Sequence, residues 1–112
     1  MAASITLQKR ADNLWLLTFG DEPREQLDQL LVDLRASEPC PDVVIDLSPA
    51  ALLTSGNLSQ LLRVRQLLIE RDVRLTLAGA RGEVWGLFTT TGLDKVFNFA
   101  DDADAAVAAL RG

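Results

Sequence analysis

The sequence predicts a single α/β domain with a mixed β-sheet and helices in the order β-β-α-β-α-β-α-β-α. Short β-prone runs alternate with amphipathic segments of helical length, a pattern typical of crossover connections between strands. The 112 residues, 48% of them hydrophobic, suffice for one independently folding core. No repeat, low-complexity segment or Gly/Ser linker divides the chain, so we expect residues 1–112 to form one packed unit.

The chain is predicted to begin with a β-hairpin. Ile5 and Leu7 alternate with polar residues, and the β-prone run Leu14–Phe19 follows. Residues 11–13, Ala-Asp-Asn, supply the short polar turn between two such strands. We expect Trp15, in the second strand, to belong to the core or the sheet surface and not to a ligand site.

An amphipathic helix is predicted next, with Pro23 in its first turn and its end before Pro39. Proline is favoured at the start of a helix, where its missing N–H is not needed. Cys40 follows in a connecting loop, and we expect it to be a reduced thiol without a functional role. The predicted core face of the helix shows spacings of i, i+3, i+4 and i+7: Leu27, Leu30, Leu31 and Leu34.

The middle of the chain predicts a parallel strand–helix–strand unit. Val43–Leu47 is a continuous apolar run between Pro41 and Pro49, typical of a strand that is covered on both faces. A second helix opens at residues 54–57, and residues 73–78 alternate as the next strand. The apolar face of the second helix is predicted to comprise Leu58, Leu61, Leu62, Leu68 and Ile69.

The remainder predicts a third helix, a short strand over residues 96–99 and a final helix. Gly92 is expected to end the third helix in the left-handed conformation. Negative charge at 101–104 favours the start of the final helix, because it complements the helix dipole. The predicted apolar face of the third helix comprises Val84, Leu87, Phe88 and Thr91, and that of the final helix comprises Ala106, Val107 and Leu110.

The amino-acid composition excludes several classes of function. The chain contains no His and one Cys, which excludes catalysis by histidine and disfavours metal or thiol chemistry. A net charge of −5 argues against nucleic-acid binding, since phosphate recognition needs clustered Lys and Arg. No run of residues has the length or hydropathy of a signal peptide or a membrane helix. We therefore expect a cytoplasmic protein that is not an enzyme, with no cofactor, no metal and no direct membrane insertion.

The loop at 46–57 is the most informative stretch, because the loops at 48–57 and 79–83 follow parallel strands and should lie at the carboxyl edge of the sheet. Ser55 is a candidate phosphoacceptor: a hydroxyl at a helix start, beside the small Gly56, is accessible to another protein's active site. The alternative is that Thr54 or Ser55 only caps the helix.

Two segments resemble the STAS domain of anti-sigma factor antagonists. Residues 44–58, Val-Ile-Asp-Leu-Ser through Leu-Thr-Ser-Gly-Asn-Leu, resemble that family's strand followed by an Asp-Ser-Ser/Thr-Gly-Leu motif. Residues 75–97, with Thr91-Gly92-Leu93-Asp94, resemble its next strand, helix and Gly-Leu corner. Together with the hairpin and the final helix, the similarity spans about residues 4–110.

The resemblance implies a domain that is a substrate and a switch and not a catalyst. In that family the first serine of the motif, which aligns with Ser55, is phosphorylated by an anti-sigma factor that is also a kinase. The dephosphorylated domain binds this partner, and added charge weakens the contact. Thr54, Gly56 and Asn57 replace the family's Asp, second Ser/Thr and Gly. The resemblance and the loop position make Ser48, Thr54, Gly56 and Asn57 candidates for partner binding. Asp21 is a further candidate, either as an acidic group near the partner site or only as a favourable charge at a helix start. Trp85 falls off the apolar face of its helix and is either an interface anchor or partly buried against a neighbouring helix.

An alternative function and the role of a positive stretch stay open. The same fold serves as a constitutive accessory subunit, for example of an ABC-type lipid transporter with the transporter ATPase as its partner, or of a signalling scaffold. Four arginines, Arg63, Arg65, Arg71 and Arg74, make residues 55–74 locally positive. They favour either a solvated helix face or the steering of an acidic partner.

Overall fold

The computed structural model describes residues 5–10, 13–20 and 23–111, of which residues 5–10 and 111 are described by their backbone alone. The order of elements is the predicted one. The elements are β1 (Ile5–Arg10), β2 (Leu14–Phe19), α1 (Arg24–Ala36), β3 (Asp42–Asp46), α2 (Ser55–Glu70), β4 (Leu75–Ala78), α3 (Gly82–Thr91), a 3-10 turn (Leu93–Lys95), β5 (Asn98–Ala100) and α4 (Ala103–Arg111).

One mixed sheet runs in the strand order β1-β2-β3-β4-β5. β1 pairs with β2 in antiparallel register, from Ile5 opposite Phe19 to Arg10 opposite Leu14. All other neighbours are parallel. The described part of the turn, Asn13, has a φ of 57°, and the rest of the predicted turn lies outside the described residues. The predicted mixed α/β fold is therefore confirmed.

The alternation of side chains along β2 and β3 divides the core between the two faces of the sheet. Trp15, Leu17 and Ile45 pack with α1, α2 and α3 on one face, so Trp15 is a core residue as predicted. Leu16 and Val44 point to the opposite face. On that face α4 contributes Ala106 and Val107. The carboxyl ends of β3 and β4 lie at the same edge of the sheet, because the two strands are parallel neighbours.

The structure corrects the predicted core face of α2. Leu62 is 37% and Ile69 is 52% exposed. Each follows a buried residue, Leu61 and Leu68, and a step of one residue turns a side chain about 100° around the helix axis. Val64 and Leu67, not named in the prediction, complete the buried stripe.

Several boundaries also move. α1 begins at Arg24, so Pro23 lies at the N-cap position and not in the first turn. β4 begins at Leu75 and not at residue 73. β5 covers Asn98–Ala100, because Val96 and Phe97 continue the 3-10 turn through hydrogen bonds to Leu93. Gly92 ends α3 with a φ of 78°, which confirms the predicted left-handed cap. No described helix is long and apolar enough to cross a membrane.

Candidate functional site

The loops that follow β3 and β4 meet at the carboxyl edge of the sheet. The Asp46 carboxylate, at the end of β3, accepts a hydrogen bond from the backbone N–H of Ser48 at 3.0 Å. Gly79 follows β4 with a φ of 73°, and a Cβ atom there would lie 2.9 Å from the Cβ of Ser48. Glycine is needed at residue 79 for two reasons. The backbone there is left-handed, and the loop after β3, which carries Ser48, leaves no space for a side chain. The contact fixes Ser48 at the edge, with its side chain exposed.

A reciprocal cap forms the start of α2. The Thr54 hydroxyl accepts from the backbone N–H of Asn57 at 3.1 Å, and the Asn57 amide oxygen accepts from the backbone N–H of Thr54 at 3.0 Å. This is a capping box in which Asn takes the place of the usual Glu or Gln. Thr54 is thus the capping residue of the two that the sequence offered. Ser55 is the first helical residue, and its side chain is exposed.

A buried polar network ties this helix start to α1. Asn57 and Gln60 are 2% and 6% exposed. The Asn57 amide donates to Gln60 Oε1 at 3.2 Å, and the Gln60 amide donates to the Arg24 carbonyl at 2.7 Å and to Asp28 Oδ1 at 2.9 Å. Every polar atom of the Gln60 side chain is therefore paired. A satisfied buried network of this kind gives the two helices a defined register.

Trp85 lies on α3, beyond the end of β4. It is 38% exposed, and its ring meets Phe99 edge to face, with centroids 5.0 Å apart and planes at 89°. The two rings line an open cavity of about 580 Å³, together with Arg81 and Asp101. Trp85 thus combines a fixed ring with an exposed surface, two properties of residues that dominate protein interfaces.

The four arginines of residues 55–74 separate into two groups. Arg65, Arg71 and Arg74 donate to the carbonyls of Val96, Arg35 and Leu110, at 3.0 to 3.2 Å, and so hold neighbouring elements together. Arg63 is exposed and lies on α2, two turns from Ser55. The locally positive stretch is therefore largely structural, apart from the residue nearest the helix start.

Cys40 is buried, and its carbonyl accepts from the Asn13 amide at 3.1 Å. Burial raises the pKa of its thiol, and this outweighs the opposite influence of Arg71. A protonated, enclosed thiol is a poor nucleophile. Within the described ranges, no three His, Cys, Asp or Glu side chains are grouped to hold a metal ion.

The structure brings some of the predicted partner-binding residues together. Thr54, Ser55, Gly56 and Asn57 form one helix start, but Asn57 is buried and supports the surface without forming part of it. Ser48 lies on the same connecting loop, and Trp85 follows the neighbouring strand. Asp21 lies outside the described residues.

Three residues near this helix start were not among the predicted candidates. Leu52, in the loop before the helix, is 56% exposed. Its position gave no signal, since single exposed apolar residues are common on protein surfaces. Arg24 and Gln60 gave no signal, because their contact joins positions that are 36 residues apart.

Several solved structures similar to this chain are described as anti-sigma factor antagonists. One, from Mycobacterium paratuberculosis, is 27% identical over 97% of this chain and 96% of the other, with a TM-score of 0.79. A STAS domain protein from Planctomyces limnophilus is 19% identical over 98% and 100%, with a TM-score of 0.83. SpoIIAA in its unphosphorylated form is 12% identical over 96% and 98%, with a TM-score of 0.76.

Sequence comparison leads to the same family. No curated protein sequence matches the chain. The family model of the STAS domain, however, matches residues 16–106, which include most of β2, all of β3 to β5 and the helix start that carries Ser55. The chain therefore belongs to the STAS domain family.

Proposed function

We propose that this STAS domain is a cytoplasmic anti-sigma factor antagonist that binds an anti-sigma factor with kinase activity and is switched by phosphorylation of Ser55. The observation that carries the proposal is the exposed hydroxyl of Ser55 at the first position of α2. Thr54 supplies the cap, so the Ser55 hydroxyl is not needed for that role. The similar solved structures, described as anti-sigma factor antagonists, support the partner class.

In the proposed reaction this domain is the substrate and the partner supplies the catalytic groups. The Ser55 oxygen attacks the γ-phosphorus of ATP bound to the kinase, and the bond from that phosphorus to the β,γ-bridging oxygen breaks. ADP leaves, and the hydroxyl proton passes to a base of the kinase. The product carries close to two additional negative charges on the exposed first turn of α2.

The proposed docking surface consists of exposed side chains around this helix start. Ser48 and Leu52 lie on the loop before it, and Trp85 lies beyond the neighbouring strand. Leu52 and Trp85 supply apolar contact area. A phosphate on Ser55, three residues after Leu52, adds charge that must be desolvated when the partner binds, so phosphorylation weakens the complex.

Two isosteric variants test the switch. Ser55→Asp adds one negative charge, and Ser55→Asn has nearly the same shape without it. Affinity for the cognate anti-sigma factor, measured by calorimetry, should fall at least about tenfold for Ser55→Asp and change by less than about threefold for Ser55→Asn. Equal affinities of the two variants would rule out a charge switch at this residue.

A second candidate function is a constitutive accessory subunit, in a signalling scaffold or an ABC-type lipid transporter. Gly56 stands where the family motif has a second Ser or Thr, and this departure favours a domain that is not phosphorylated. A similar chain of the stressosome, which is described as a signal integration and transduction hub, is consistent with a scaffold. Co-purification with a transporter ATPase and no kinase, together with unchanged assembly of Ser55→Asp, would favour this alternative.

A further inference from the structure

A second feature lies beside Gly56, the residue that follows Ser55, in the groove between α1 and α2. A cavity of about 220 Å³ lies there, lined by Arg24 and Asp28 of α1 and by Gly56, Ser59, Gln60 and Arg63 of α2. Both arginine side chains are exposed. Two guanidinium groups from different helices thus border one small polar cavity in a protein whose net charge is −5.

Gly56 admits the guanidinium group of Arg24 to the start of α2. A Cβ atom at residue 56 would lie 3.2 Å from Arg24 Nη2, a close contact that would displace the guanidinium by a few tenths of an ångström. The positive charge of Arg24 therefore lies directly over the residue that follows Ser55. The Gln60 amide bonds to the Arg24 carbonyl at 2.7 Å and fixes the backbone from which this side chain extends.

Arg63 approaches the same place along α2. Ser55, Ser59 and Arg63 are spaced i, i+4 and i+8 and so share one stripe of the helix. Side chains of a helix lean toward its N-terminus, and this is the direction in which Ser55 lies from Arg63. Ser59 continues this stripe, and its hydroxyl donates to the Ser55 carbonyl at 3.3 Å.

The charge at the cavity is favourable for an anion. Among the described residues, Asp28 is the one carboxylate that lines it, and its Oδ1 atom already accepts from Gln60 at 2.9 Å. The two positive charges of the arginines therefore exceed the single negative charge of Asp28. Arginine binds phosphate through paired N–H groups of fixed geometry and retains its charge at every pH relevant here.

We propose that a phosphate on Ser55 is bound by Arg24 and Arg63 across the groove between α1 and α2. This inference rests on the proposed phosphorylation of Ser55 and adds how the domain holds the product. The phosphate would be fixed against α1, kept in its dianionic form and shielded from phosphatases. Arg24 is a positioning residue in this scheme, since it acts on the modified group and not on the transfer reaction.

The test uses the full chain with phosphoserine incorporated at residue 55 during translation, so it does not depend on any kinase. The protonation of the phosphate is followed by ³¹P NMR. We expect its proton affinity to be about threefold lower than in an unstructured phosphoserine peptide, the effect of partly exposed ion pairs. Arg24→Gln should restore most of the difference, and Arg63→Gln a smaller part.

Two further variants serve as controls. Arg35→Gln removes the same charge from the other end of α1 and should leave the titration unchanged. Gly56→Ala keeps all charges, favours the helix and displaces only the Arg24 guanidinium, so it should act in the same direction as Arg24→Gln. A wild-type phosphate that titrates like the peptide, or an equal effect of Arg35→Gln and Arg24→Gln, would overturn the inference without affecting the proposed function.

Discussion

Thr54 and Asn57 form a reciprocal cap at the start of α2. The Thr54 hydroxyl accepts from the backbone N–H of Asn57 at 3.1 Å, and the Asn57 amide oxygen accepts from the backbone N–H of Thr54 at 3.0 Å. Because Asn57 is buried and also bonds to Gln60, the cap is joined to the packing of α1 against α2. The first turn of α2 is thereby fixed, while Ser55 on that turn stays exposed. A rigid first turn with an exposed hydroxyl is well suited to recognition by another protein.

Asn57→Ala should destabilise the domain. The substitution removes one side of the cap and leaves Gln60 Oε1 buried without its donor. We expect the free energy of unfolding to fall by about 2–3 kcal/mol, measured by urea denaturation. Ser59→Ala, on the exposed face of the same helix, should change it by less than about 0.5 kcal/mol. Equal effects of the two substitutions would show that the network contributes nothing of its own.

Gly79→Ala should disrupt the contact between the two loops at the edge of the sheet. The new Cβ would lie 2.9 Å from Ser48 Cβ, and alanine is strained at a φ of 73°. A loss of about 2–3 kcal/mol is expected in thermal or urea unfolding. Gly86→Ala is the matched control: residue 86 lies inside α3 with open space around it, and the change should stabilise the domain by about 0.5–1 kcal/mol.

Trp85→Ala should weaken partner binding more than it weakens the fold. Its exposed ring is fixed by Phe99, so a partner gains contact area with little loss of side-chain entropy. Calorimetry with the cognate anti-sigma factor should show an affinity loss of about thirtyfold, the size typical of a dominant interface residue. Val32→Ala, at an exposed valine of α1, should have no such effect, and the same affinity for both variants would exclude Trp85 from the interface.

Cys40 should make stability depend on pH in the alkaline range. Burial raises the pKa of its thiol above the ordinary value of 9.0, so the unfolded chain ionises first as the pH rises. The contribution of the protonated thiol is complete below pH 9 and decreases above it, because the unfolded state then binds fewer protons. Urea denaturation at pH 8 and pH 10 should show a larger loss for wild type than for Cys40→Ala. Parallel losses would contradict burial of the thiol.

The order of elements was predictable because it depends on local patterns. The leucines of α1 repeat at helical spacing and are buried, and β3 is an apolar run between prolines that lies inside the sheet. The errors in α2 were those of a wide apolar stripe. Leu62 and Ile69 border it, and each lies about 100° around the helix axis from a buried leucine, which turns it toward water.

The location of the candidate site was predictable from the sequence, but most of its side-chain contacts were not. The position of Ser55 followed from the loop after a parallel strand and from the family resemblance. The network from Asn57 through Gln60 to Arg24 did not, because it joins two helices whose packing distance the sequence does not state. The approach of Arg24 to Gly56 depends on that same packing.

Phosphate localisation is the most direct test of the proposed role of Ser55. The cognate anti-sigma factor kinase and ATP are incubated with wild type, Ser55→Ala and Ser59→Ala, the last lacking the neighbouring hydroxyl on the same stripe. Wild type and Ser59→Ala should incorporate one phosphate, which tandem mass spectrometry assigns to Ser55, and Ser55→Ala should incorporate none. Undiminished labelling of Ser55→Ala, or a phosphate assigned to Thr54 or Ser59 in wild type, would contradict the assignment of the switch to Ser55.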